Sequence, residues 1–119
     1  MEPKRFFEVA LPHMVARSFM DALQQQGSIS FDVKNGGQWT FTFGSEEPVN
    51  RGLKPNAELK LMFTRRAFDG FLEGTLDTVE ALRRREVVAI GTDFDLLEAF
   101  GRILRPPTAD LGWNVQTAG

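Results

Sequence analysis

A single histidine, His13, stands in a chain that contains no cysteine. Thiolate metal sites, disulfides and a cysteine nucleophile are thereby excluded. A transition-metal site built on one imidazole lacks its remaining soft ligands. A serine nucleophile would need His13 as its base, and no elbow or triad pattern surrounds any serine. His13 therefore reads as a surface residue in the first turn of a helix. The carboxylates have simpler duties. Asp77, Glu80 and Asp95 fit helix beginnings, where the dipole favours negative charge, and Asp93 and Glu98 read as a solvated helix face. Gly36-Gly37 is no phosphate cradle, because no helix follows it. No catalytic residue, no metal ligand and no cofactor is expected.

Charge adds little. The formal net charge is −2, and no basic stripe interleaved with aromatics appears, so nucleic acid is not an expected partner. The basic run Arg83-Arg84-Arg85 falls at a helix end, where the dipole alone favours it; beside Val79 and Leu82 it also suits transient contact with an anionic membrane. No apolar run approaches the length of a membrane span. The N-terminus lacks the apolar stretch of a secretory signal, and Thr117-Ala118-Gly119 is not a peroxisomal address. A cytoplasmic protein is the expectation.

What remains is apolar and bulky. Of 119 residues 42% are hydrophobic, with 11 Phe and 2 Trp, enough to build one core. A single domain over residues 1–119 is expected, with its core at about 12–104 and a C-terminal tail at 105–119 whose sizeable apolar groups are Leu111, Trp113 and Val115.

The elements that must position these side chains follow from periodicity. Leu11, Val15, Phe19, Ala22 and Leu23 recur at threes and fours, Pro12 suits a first turn and Gly27 a stop, which predicts a helix over 12–26. Residues 3–10 cannot simply continue it backwards past Pro12 and read as a separate turn or loop. From Ser28 the period is two. Ile29, Phe31 and Val33 face one way and Ser28, Ser30, Asp32 and Lys34 the other; Trp39, Phe41 and Phe43 alternate with Gln38, Thr40 and Thr42. The Asn35-Gly36 turn between the two runs predicts a hairpin. A further strand alternates Ala57, Leu59, Leu61 and Phe63 with Glu58, Lys60 and Met62. Such strands belong to an antiparallel sheet covered on one side.

The second half turns helical. Thr64 caps a helix carrying Phe68, Phe71 and Leu72 that ends at Gly74. Asp77 with Glu80 has capping-box spacing and opens a short helix with Val79, Ala81 and Leu82. Glu86–Ile90 reads as a strand. Thr92 with Asp95 again has capping-box spacing, before a helix lined by Leu96, Leu97, Phe100, Ile103 and Leu104 and stopped at Arg105-Pro106-Pro107.

Four stretches in this order resemble the sterol carrier protein 2 family. They are Phe31-Asp32-Val33-Lys34-Asn35-Gly36-Gly37-Gln38-Trp39-Thr40, Asn56-Ala57-Glu58-Leu59-Lys60-Leu61, Phe68 to Asp77, and Ala81 to Gly91. The likeness runs from about Gly27 to Leu104, with one departure: Arg85 stands where the family commonly has Gly. The resemblance implies an α+β fold, with a mostly antiparallel five-stranded sheet, helices packed on one face and an apolar tunnel between. The fifth strand would lie within 44–56. It implies binding and presentation or transfer of an apolar ligand, a sterol, fatty acid, acyl thioester or other lipid, without chemistry. The ligand-facing residues would be Phe31, Trp39, Phe41, Leu61, Phe68, Phe71, Leu72, Leu82, Leu97 and Phe100. Trp39 is equally readable as a half-exposed strand residue. Two rival functions remain on the residues alone: an enzyme acting on an apolar substrate, which needs a titratable group inside the tunnel, and an interaction module whose cavity has collapsed.

Overall fold

The computed structural model describes residues 1–18 and 24–105. Five strands, β1 (Gly27–Val33), β2 (Gly37–Phe43), β3 (Val49–Arg51), β4 (Leu59–Phe63) and β5 (Val87–Gly91), form one sheet in the order β3-β2-β1-β4-β5. The strand expected within 44–56 is β3. β1 and β2 are antiparallel, with Ile29 opposite Phe41 and Phe31 opposite Trp39. Their connection is a three-residue loop in which Gly36 N–H donates to Val33 C=O at 2.8 Å and Asn35 takes φ 59°. Asparagine is among the few side chains that accept this left-handed conformation.

Every neighbouring pair is antiparallel except β1 with β4, which run parallel with Ile29 beside Leu59 and Phe31 beside Leu61. The alternating pattern of β4 could not distinguish the two orientations, since one buried face looks alike in both. The chain leaves β1 through β2 and β3, and the loop between Gly52 and Glu58 crosses back to the starting end of β1 on its opposite side, which makes the pairing parallel.

The predicted inward sets hold: Ile29, Phe31, Val33, Leu59, Leu61 and Phe63 are all buried. The opposite face departs from expectation. Ser28 and Ser30 point away from the core, yet are fully covered. Ser30 Oγ and Thr40 Oγ1 lie 2.8 Å apart, Thr40 Oγ1 donates to Gly52 C=O, and Lys54 N–H donates to Ser30 Oγ. The loop between β3 and β4 thus folds over this face, and hydroxyls suit it because each covered polar group finds a partner.

The N-terminus corrects the sequence reading. Helix begins at Pro3, with α1 (Pro3–Arg5), a π-helical segment Phe6–Ala10 and α2 (Leu11–Ala16) in direct succession. In an α-helix the Pro12 ring would clash with the carbonyl four residues back. The widened turn relieves it: Leu11 N–H reaches five residues back to Phe6 C=O, the usual form of a π-bulge. Residues 3–10 are therefore helical rather than a loop, and the helix expected over 12–26 closes at Ala16 with Arg17 as its C-cap; Phe19, Ala22 and Leu23 lie outside the described residues, as do Leu111, Trp113 and Val115.

α3 (Arg65–Glu73) follows expectation. Thr64 Oγ1 accepts from Ala67 N–H and Gly74 closes the helix at φ 79°, the left-handed cap that glycine favours. α4 (Thr78–Arg83) is capped by Asp77, whose carboxylate accepts from Glu80 N–H. The return half of that capping box is missing, because Glu80 turns to Arg83 and Arg84 instead. α5 (Phe94–Leu104) has Asp93 as its N-cap, without a side-chain bond; the expected Thr92–Asp95 box does not form, as the helix starts one residue later than that spacing requires.

Candidate functional site

Rings fill the layer between sheet and helices. Phe31 and Trp39 rise from neighbouring strands, and Phe7, from the π-helical segment, stacks on Trp39 at 4.7 Å and lies 5.1 Å from Phe31. Phe68 of α3 approaches Phe7 at 5.7 Å, Phe6 at 5.9 Å and Phe63 at 5.5 Å. On the other side Phe100 of α5 meets Phe31 at 5.0 Å, Phe41 at 5.3 Å and Phe71 at 6.3 Å. These separations lie in the range where aromatic pairs attract beyond simple burial.

Of the ligand-facing residues read from the sequence, Phe31, Trp39, Phe41, Leu61, Phe68 and Phe100 come together, all buried. Trp39 is core rather than half-exposed. Phe71, Leu72 and Leu97 are half-buried against that core. Leu82 is not part of it. It is 44% exposed, because the short α4 turns only Ala81 inward and leaves Val79 and Leu82 in solvent.

Phe6 and Phe7 are the residues the sequence reading missed. Both are fully buried, and Phe7 occupies space between Phe31, Trp39 and Phe68. The signal was present, since Phe7, Leu11 and Met14 continue the spacing of fours and threes back across Pro12. Their segment is fastened by Glu8, whose carboxylate accepts from Arg51 Nε at 2.6 Å, Arg51 Nη2 at 2.9 Å and Trp39 Nε1 at 3.0 Å. Arg51 first, and Trp39 second, hold this carboxyl down to about 2. Hydrogen bonds to the ionised form have that effect.

An apolar groove of about 200 Å³ opens on this layer between the N-terminal helix, α3 and α5. Phe6, Met14, Leu72 and Leu104 line it, with the carboxylates of Asp69 and Glu73 at its rim. Asp69 is partly engaged by Arg65, which also holds Glu2. A larger hollow of about 470 Å³ between α3 and α4 is mostly polar, lined by Arg66, Asp69, Glu73, Asp77, Glu80 and Arg84 among others. His13 is exposed on α2. Arg83 and Arg84 both fold onto Glu80, which offsets part of the charge of the basic turn.

No protein-family model and no curated protein matches this sequence. Solved structures do. The sterol carrier protein domain 2 of Helicoverpa armigera is 13% identical, with 96% of this chain and 98% of that one covered and a TM-score of 0.66. Sterol carrier protein 2 of Aedes aegypti, solved in complex with the C16 fatty acid palmitate, is 17% identical, with 88% and 98% covered and a TM-score of 0.63. A stereoselective inverting sec-alkylsulfatase from Pseudomonas sp. is 18% identical over 85% of this chain but only 16% of its own, with a TM-score of 0.63. At such identities the likeness is one of architecture, and it agrees with the strand order and helices described above: the chain carries the sterol carrier protein 2 fold.

Proposed function

We propose that this protein binds an apolar, chain-like ligand between its sheet and helices and passes it on without chemistry. The observation that carries the reading is the apolar groove of Phe6, Met14, Leu72 and Leu104, continuous with a layer of phenylalanines. At about 200 Å³ it falls below the roughly 300–1,000 Å³ of ordinary ligand pockets. A long chain must therefore enter the aromatic layer itself, and the groove-lining Phe6 with its neighbour Phe7 forms the part that yields. Burying a methylene is worth about 0.8 kcal/mol, so a ten-carbon stretch gives roughly 8 kcal/mol before the costs of opening, which is micromolar binding at best. Selectivity for chain shape over headgroup follows.

The test is titration with a fluorescent fatty acid, after native mass spectrometry of the purified protein for a carried lipid. Phe71→Asp and Leu104→Asp should weaken binding by roughly tenfold or more, since an entering chain must desolvate the new charge, whereas His13→Ala should leave it unchanged. Circular dichroism first establishes that each variant is folded. Unchanged affinity in both folded Asp variants would remove the assignment. Delivery, in this reading, uses the exposed Val79 and Leu82 with Arg83, Arg84 and Arg85 against an anionic membrane; transfer to anionic vesicles should slow with salt and in the triple Gln variant.

A further inference from the structure

The two edges of the sheet are finished differently. β3 has three residues and carries Arg51, which closes onto Glu8; a short, charged edge discourages further pairing. β5 has five residues, Val87-Val88-Ala89-Ile90-Gly91, with no charge and no proline. Thr64 N–H donates to Glu86 C=O at 2.9 Å, and Lys34 N–H to Phe63 C=O at 2.9 Å. Those two bonds fix the alternation: Val88 and Ile90 turn their backbone groups towards β4, and Val87, Ala89 and Gly91 turn theirs outward. Among the described residues no hydrogen bond reaches these outward groups. Exposed apolar side chains are also frequent along this stretch of the chain. Seven large ones are exposed among the described residues, and five of them, Val79, Leu82, Val88, Ile90 and Phe94, lie in β5 or in the segments on either side.

We propose that β5 is a homodimer interface, where a second copy of this chain pairs antiparallel about a twofold axis through Ala89 and joins the two sheets into one. The strand is complementary to itself in that register. Ala89 exchanges both backbone bonds with the partner's Ala89, and Val87 and Gly91 exchange theirs with the partner's Gly91 and the partner's Val87, so every outward group is satisfied. Val88 faces the partner's Ile90 as a non-hydrogen-bonded pair, the closer of the two kinds. Just beyond the strand, Arg85 of each copy meets the partner's Asp93, giving two opposite-charge pairs by symmetry. Sliding by two residues either way sets Glu86 against the partner's Ile90 or Val87 against the partner's Asp93. Charge complementarity and the apolar pair therefore select both the second copy as occupant and its register.

Sedimentation equilibrium of the full chain, from micromolar to millimolar concentration, should show a monomer–dimer equilibrium. Arg85→Asp and Asp93→Arg should each weaken it by roughly tenfold, and the double swap should restore it, a recovery that no loss of folding produces. In amide exchange by NMR, Val87, Ala89 and Gly91 should gain protection as concentration rises, while Val88 and Ile90 are protected throughout. A mass that stays monomeric at every concentration overturns the interface. So does a dimer that the double swap fails to restore, or one whose new protection lies elsewhere, as a lipid-facing surface or a different docking face would give.

Discussion

Glu8 joins three elements through one carboxylate, since Arg51 belongs to β3, Trp39 to β2 and Glu8 itself to the N-terminal helix. Its carboxyl lies at about 2 against an ordinary 4.5, so the folded chain holds this proton more weakly than the unfolded chain. The contact then adds stability that is complete above about pH 4.5 and is lost as the pH falls towards 2. Glu58, lowered by Ser28 N–H, acts in the same direction. In urea unfolding, wild type should lose more stability between pH 6 and pH 3 than Glu8→Gln does, and the two should converge in acid. Equal losses would mean that the latch does not report on folding. Nothing in the sequence marked Glu8, because its partners lie 31 and 43 residues away. Arg85 was more legible. The resemblance placed it where glycine is common, and it does take φ 59°, a conformation that is costly for a side chain with a Cβ.

At the scale of elements, periodicity located what was regular and failed where a regular element contained an irregular residue. β1, β2 and β4 follow from strict alternation, and the Thr64–Gly74 helix from a cap and a stop. The N-terminal helix did not follow, because the rule against interior proline holds for an α-helix and the chain met it with a wider turn. The extra residue of that turn is what lets Pro12 follow Phe6 and Phe7 in one helical run. Deleting Val9, which is exposed, should return the segment to 3.6 residues per turn and restore the clash between the Pro12 ring and the carbonyl then four residues before it. The loss of stability is then expected to be about 3 kcal/mol, the usual cost of a proline inside an α-helix. Val9→Ala should cost under about 0.5 kcal/mol, as an exposed position does. Urea midpoints of the two variants separate the proline clash from a general intolerance at that site.

Across the whole molecule, the five-stranded sheet was legible because four motifs occur in sequence, and six of the side chains read as ligand-facing were legible as core. The orientation of β4 was not, since it depends on the route of the chain and not on any local pattern. That route divides the fold. β1, β2 and β3 are contiguous in sequence, as are β4, α3, α4, β5 and α5, and in the sheet the two groups meet along the single parallel seam between β1 and β4. Only the loop between Gly52 and Glu58 carries the chain from one group to the other, and Lys54, Pro55 and Asn56 are exposed on it. A protein laid out in this way can be made as two polypeptides. Cut between Pro55 and Asn56, the halves should recognise each other through the row of Ile29, Phe31 and Val33 against Leu59, Leu61 and Phe63, and regain on mixing the near-ultraviolet spectrum of the intact chain.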